Sequence, residues 1–168
     1  MLYIEENDLN IIFRIIANNY TKAEEVPDYR SEQTGIQNLL GVFERVKMSH
    51  YATLIDKVTY LFIQINKGHF FSNGNKRLAL VSSTGFLTIN NKTIAELSRE
   101  EFRRILVSAF PDCERDLEDH PELSAPEFAL YNLSIIVADS HKYISEEDGF
   151  DLLKASVAKF FETTVVEE

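Results

Sequence analysis

Within nine residues the chain places a titratable base, a glycine turn and two adjacent cations: His69-Phe70-Phe71-Ser72-Asn73-Gly74-Asn75-Lys76-Arg77. Imidazole has an ordinary pKa near neutrality, so His69 can take a proton from an attacking hydroxyl and return it. Asn73, Gly74 and Asn75 tolerate the backbone angles that turn several N–H groups toward one point. The unpaired N–H groups opening a following helix add a positive dipole end there. Lys76 brings a point charge and Arg77 a planar fork that matches phosphate oxygens. These residue types at this spacing suit the handling of a phosphate group. Phe71 is expected to point into the core and pin the loop, with Phe70 as packing. Asn75 is expected to orient the loop, to cap the next helix and to offer an amide to phosphate oxygens.

A loop of this kind works only if rigid elements hold its ends. Leu54, Ile55, Val58, Leu61, Phe62 and Ile65 recur at helical spacing before it, and Leu78, Ala79, Val81, Phe86 and Leu87 resume the pattern after it until Asn90-Asn91. Two further helices precede these, one over Leu9, Ile12, Phe13 and Ile16 with Asp8 as its cap, one over Ile36, Leu39, Leu40, Phe43 and Val46. Glu25 to Arg30 reads as the loop between them. Ser98 with Glu101 forms a capping box for a fifth helix ending near Phe110. Pro111 to Pro126 encloses six acidic residues and reads as a solvated surface excursion. Two helices follow, about Glu127 to Asp139 and about Glu146 to Phe161, the second capped by Ser145. Lys47–Leu54 and Ile89–Ile94 could hold short strands. The expected architecture is mainly α, one domain over residues 1–168 with an acidic insertion at about 111–126.

Composition narrows the function. At 168 residues and 45% hydrophobic content the chain can bury a core without disulfides, and Cys113 is its only cysteine. A formal net charge of −10 argues against direct nucleic-acid binding, and no basic aromatic stripe offsets it. No apolar run reaches membrane-spanning length and no leader pattern opens the sequence, so a cytoplasmic protein is expected. His50, His120 and His141 show no metal-ligand spacing with one another or with Cys113.

Residues 69 to 77 fill every slot of the pattern His-x-Phe-x-(acid or Asn)-(Gly or Ala)-Asn-(Gly or Lys)-Arg, and the chain is identified on them as a member of the Fic/Doc family. The resemblance runs from about Ile36 to Phe110 and favours the Doc-like (death-on-curing toxin) branch. It implies a Fic-type helical bundle with a short β-hairpin flap, to which His50 and Tyr51 would belong. It implies His69 as base, and Asn73, Gly74, Asn75, Lys76 and Arg77 as the phosphate and nucleotide site. It also implies ATP or another nucleoside triphosphate as donor, Mg2+ carried with it, and a protein hydroxyl as acceptor.

Members that transfer AMP usually carry Gly-Arg after the second Asn and another Arg three residues further on. Here Lys76, Arg77 and Leu80 stand instead, which points to transfer of the terminal phosphoryl group, with a translation elongation factor as one candidate target. Asn73 replaces the acid that many relatives use toward Mg2+, so metal affinity is expected to be low. Two other readings stay open, AMP transfer and a catalytically weak binding module. The inhibitory Ser/Thr-x-x-x-Glu-Gly/Asn pattern of the family has no clean copy: Ser145 to Gly149 has Asp148 one place early, and Thr21 to Glu25 is followed by Val26. Neutralisation would then need a separate antitoxin chain on an exposed apolar groove.

Overall fold

The computed structural model describes residues 1–19, 27–48, 50–145, 147 and 149–168. Seven α-helices are formed there: α1 (Leu9–Asn19), α2 (Gln33–Arg45), α3 (Leu54–Lys67), α4 (Asn75–Thr88), α5 (Arg99–Ala109), α6 (Ala125–Ala138) and α7 (Gly149–Thr164). A short sheet pairs β1 (Lys92–Ile94) with β2 (Val165–Glu167). The mainly α architecture expected from periodicity is the one observed.

Helices α3 and α4 form the centre. α3 packs against α2, α4, α6 and α7, while α4 packs against α1, α3 and α6. Their sequences explain the placement. Residues Leu78 to Ser83 of α4 are buried consecutively, as are Lys57 to Ile63 of α3, so each helix is buried around most of its circumference. The charge on Lys57 is accommodated because its ammonium donates to the carbonyls of Val46, at 2.6 Å, and Met48, at the end of α2. The polar loop of residues 68–74 therefore joins two core helices.

The predicted capping box at Ser98 forms, and two more stand at Thr53 and Ser124. Thr53, Ser98 and Ser124 each accept from the N–H three residues on, with Asp56, Glu101 and Glu127 returning the bond. Asp8 does something else. It closes a 3-10 turn ahead of α1, its carboxylate accepting from Glu5 N–H at 2.8 Å. α7 begins at Gly149, whose N–H donates to Ser145 O, three residues later than the apolar pattern suggests. Glu146, Asp148 and Thr21 to Glu25 lie outside the described residues.

The sheet departs from expectation. β1 is the later half of the predicted Ile89–Ile94 strand, but its partner is the C-terminal segment, antiparallel with Thr93 opposite Val166. Lys47–Leu54 forms turns among its described residues, with Lys47 and Met48 N–H groups donating back to Glu44 and Arg45. Among the described residues of that segment no flap hairpin is present. His50 and Tyr51 also sit at the N-terminal end of α3 whereas His69 follows its C-terminal end, about 20 Å away at 1.5 Å per residue. Tyr51 packs against Tyr60 with tilted rings 4.4 Å apart and lies under Lys154 of α7, a packing role.

The six acids of the excursion are exposed, as expected of a solvated surface segment, yet its backbone is held in place. Phe110 and Cys113 are buried, and residues Pro111–Asp116 coil into 3-10 turns. Asn132, buried on α6, clamps both backbone groups of Glu118: its Oδ1 accepts from Glu118 N–H at 2.8 Å and its Nδ2 donates to Glu118 O at 2.9 Å. Arg99 holds the next turn through Asp119 and the carbonyls of His120 and Leu123. Replacing Asn132 with Ala strands two backbone groups, so Asn132→Ala is expected to cost about 2 kcal/mol in urea unfolding. Amide exchange at residues 117–120 should rise more than at α3.

Candidate active site

The site begins where α3 ends. Gly68 N–H closes the last turn on Gln64 O, and the next residue, His69, takes φ +46. That left-handed conformation is the usual way out of a helix, ordinarily supplied by Gly or Asn. A histidine pays about 1–3 kcal/mol of strain for it. The result is an exposed imidazole at the lip of the loop.

Phe71 is the anchor. Its ring is buried edge-on to Tyr29, at 5.0 Å and 85°, and edge-on to Phe13 at 6.4 Å, while Tyr29 stacks on Phe13 at 4.8 Å. Gly35 of α2 makes room: a Cβ there would lie 2.4 Å from Phe70 O and 2.7 Å from the Phe71 ring. Phe70 itself is half-buried.

Side chains then fix the loop backbone. Asn75 spans the turn, its Oδ1 accepting from Phe71 N–H at 3.1 Å and its Nδ2 donating to Phe71 O at 2.7 Å. Glu32, at the start of α2, takes Ser72 N–H on one oxygen and Ser72 Oγ–H on the other, at 2.8 and 2.6 Å. Tyr29 donates its hydroxyl to Gly74 O at 2.8 Å. Burial pushes that hydroxyl far above the usual tyrosine range, against the pull of Arg77, so it stays a donor. Glu32 and Tyr29 escaped the sequence reading: neither lies in the motif, and each acts across 40 or more positions.

Gly74 opens α4 at φ +77, and a Cβ on it would meet Tyr29 Oη at 2.3 Å and Pro27 Cγ at 2.5 Å. Asn75, Lys76 and Arg77 follow as the first turn of a 14-residue helix, whose N–H groups have no intrahelical acceptor. Lys76 is exposed and Arg77 half-buried. The anion-facing set is narrower than the sequence suggests, because the amides of Phe71, Ser72 and Gly74 already donate to Asn75, Glu32 and Asn73. What remains for a phosphate is the first turn of α4, Lys76 and Arg77, with His69 across the loop.

Asn73 turns its Oδ1 back onto Gly74 N–H at 2.6 Å, with Arg77 Nη2 3.4 Å from the same oxygen. A neutral oxygen facing two donors, one of them cationic, does not fit a resident Mg2+ ion. Among the described residues no cluster of three or more His, Cys, Asp or Glu could hold a metal.

Outside the motif, the acidic excursion holds an exposed carboxylate, Glu118, in a small polar network. Glu118 Oε2 accepts from Tyr131 Oη at 2.8 Å and lies 2.9 Å from His120 Nε2. Those contacts, His120 first, hold its carboxyl below the usual range, and the nearby charge of Lys76 acts in the same direction. The bond to Glu118 in turn raises the His120 pKa.

The Fic/DOC family model matches residues 3–87, half of the chain, and the protein belongs to that family. The match begins earlier than the motif-centred resemblance suggested and ends with α4, so it takes in α1, α2 and the whole α3–loop–α4 unit but none of the acidic excursion. Comparison with curated proteins and with solved structures gave no match. Members of the family are typically transferases that act on proteins and use nucleoside triphosphates. Among the described residues no helix is long and apolar enough to cross a membrane.

Two outcomes test this geometry. Gly74→Ala combines a strained φ with a clash on Tyr29, so a loss of roughly 3 kcal/mol in chemical denaturation is expected, against about 1 kcal/mol for Tyr29→Phe. His120 should titrate above an ordinary histidine by NMR, and Glu118→Gln should bring it back down. The pairing weakens as pH rises through the raised His120 pKa, and again as pH falls through the lowered Glu118 pKa.

Proposed function

We propose that this protein transfers the terminal phosphoryl group of ATP, or another nucleoside triphosphate, to a hydroxyl of a target protein. The observation that carries the reading is Lys76: an exposed ammonium on the first turn of α4, beside Arg77 and across the loop from His69. Leu80 supports it. Where AMP-transferring relatives place a second arginine, this chain has a side chain that is 6% exposed, packed in the core.

In the proposed reaction the acceptor hydroxyl approaches the γ-phosphorus while His69 takes its proton. The new O–P bond forms as the bond to the β,γ-bridging oxygen breaks, and the nucleoside diphosphate leaves with that electron pair. Lys76, Arg77 and the N–H groups opening α4 stabilise charge on the phosphoryl oxygens. Nothing covalent is asked of the loop. Its residues Phe71, Asn75 and Gly74 hold positions, with Glu32 and Tyr29 behind them.

The Doc-like assignment extends this reading to a cytoplasmic toxin acting on a translation component, such as an elongation factor, and restrained by a separate antitoxin chain. The exposed pair Ile11 and Ile15 on α1, one turn apart, is apolar surface such a chain could cover.

Lysate incubated with the protein and ATP labelled separately at the α and γ positions tests the proposal. Label from the γ position should appear on protein, and His69→Ala should lower transfer by about 100-fold or more while leaving the melting temperature nearly unchanged. Lys76→Gly should also lose most γ transfer. Label arriving from the α position would establish AMP transfer instead, and label from neither would leave a binding module.

A further inference from the structure

Asn73 and Gly74 form the only Asn-Gly pair in the sequence, and Asn73 is exposed. A glycine after asparagine leaves the next backbone nitrogen without side-chain cover, so that nitrogen can reach the asparagine's own carboxamide carbon. Here the two groups are already together. Asn73 Oδ1 lies 2.6 Å from Gly74 N. A C=O bond is about 1.23 Å long, which keeps Asn73 Cγ within about 3.8 Å of the same nitrogen. That is near the roughly 3–3.5 Å from which a reacting pair goes forward.

Two neighbours favour the addition. Arg77 Nη2 stands 3.4 Å from Asn73 Oδ1, the atom on which negative charge develops as nitrogen adds to Cγ. Gly74 is also the N-cap of the 14-residue helix α4, so its amide gives up a proton at the positive end of that helix, where the nitrogen anion is stabilised. In the balanced sequence hydroxide takes the Gly74 N–H proton and the N–Cγ bond forms. The Cγ–Nδ2 bond then breaks, and ammonia leaves with a proton drawn from water. The cyclic imide takes up one water. Opening at one carbonyl gives aspartate, and opening at the other gives isoaspartate, in which the main chain runs through the side-chain carbon.

We propose that Asn73-Gly74 is a self-modification site, at which the folded protein converts its own carboxamide to a carboxylate and so shuts the phosphate site with time. Either product disturbs the loop. Aspartate sets a negative charge within reach of Arg77, which opposes an incoming phosphate. Isoaspartate adds one main-chain atom between two pinned residues, Ser72 on Glu32 and Gly74 on Tyr29, so one of those bonds has to give. The loss of ligand rests on the phosphate reading above; the conversion itself does not.

To test this, the freshly purified full chain is kept at neutral pH in water enriched in heavy oxygen, then digested and mapped by mass spectrometry, with isoaspartyl methyltransferase marking isoaspartate. Residue 73 should take up heavy oxygen and yield both products while Asn75, Asn90 and Asn91 keep their amides. Its rate should at least equal that of the same chain unfolded in guanidinium chloride. Conversion confined to the unfolded chain, or none over the same period, would overturn the proposal. Asn73→Gln, whose longer carboxamide closes a ring far more slowly, should keep its amide, which separates change at this residue from change elsewhere. Calorimetric titration with tripolyphosphate reads the consequence. The converted protein and Asn73→Asp should each bind about tenfold more weakly than the fresh protein, and Asn73→Gln should hold its affinity throughout the incubation. Equal affinity before and after conversion would overturn the shutting of the site. No binding by the fresh protein would remove the phosphate reading, and the heavy-oxygen result would still decide the conversion.

Discussion

Everything at this site depends on one packing event, the insertion of Phe71 into the aromatic pocket formed by Phe13 and Tyr29. Burying a phenylalanine contributes about 2–3 kcal/mol, and edge-on aromatic contacts add to that. The strain of holding His69 at positive φ is of similar size. The anchor therefore offsets the cost of the exit turn, and a loop without it would relax and carry the imidazole away from the start of α4. Asn75 then makes the turn specific, since one side chain satisfies both backbone groups of the anchoring residue. Of the positions that read as a phosphate signature, Phe71, Gly74 and Asn75 hold the loop, which leaves Lys76 and Arg77 for the proposed phosphate.

The acidity of the chain makes local arrangement decisive. A net charge of −10 is a poor background for a phosphate site. At physiological ionic strength the Debye length is about 8 Å, so distant carboxylates on the surface contribute little at Lys76. The near ones matter. Glu32 has both oxygens committed to Ser72, which directs its charge toward the loop's own donors. Glu118 accepts from Tyr131 and lies beside His120, within the acidic excursion.

The helices were legible because their apolar spacing and capping boxes are local signals: the Ser98–Glu101 pair announces α5 within three residues. The motif was legible for the same reason, being nine consecutive positions. What sequence did not reveal is long-range. Tyr29 reaches Gly74 across 45 positions, Glu32 reaches Ser72 across 40, and Asn132 reaches Glu118 across 14, and none of these partners carries a periodic signature. The excursion between Pro111 and Pro126 looked solvated because its acids dominate its composition. Its structure is decided instead by the few residues that do not fit that description, Cys113 in the core and the backbone of Glu118 on Asn132. The sheet was half visible for a related reason, since a three-residue strand is defined by its partner and here the partner is more than 70 positions away.

Exposure adds a last constraint on how the proposed chemistry could proceed. His69 and Lys76 both stand in water in the free protein. A cation near a phosphate is worth far less in water than in a dry site, and a solvated base takes a proton from water as readily as from substrate. The α3–loop–α4 unit is already rigid, so drying the site by its own closure would require breaking the Phe71 anchor or the Asn75 clamp. In the proposed reaction an incoming protein surface would exclude water by covering the imidazole and the nucleotide phosphates as it presents its hydroxyl. In the proposed reaction, binding of the target and assembly of an effective electrostatic site are then the same step. A target that fits poorly fails in kcat as well as KM, because the two cations act at full strength only beneath a surface that seals them.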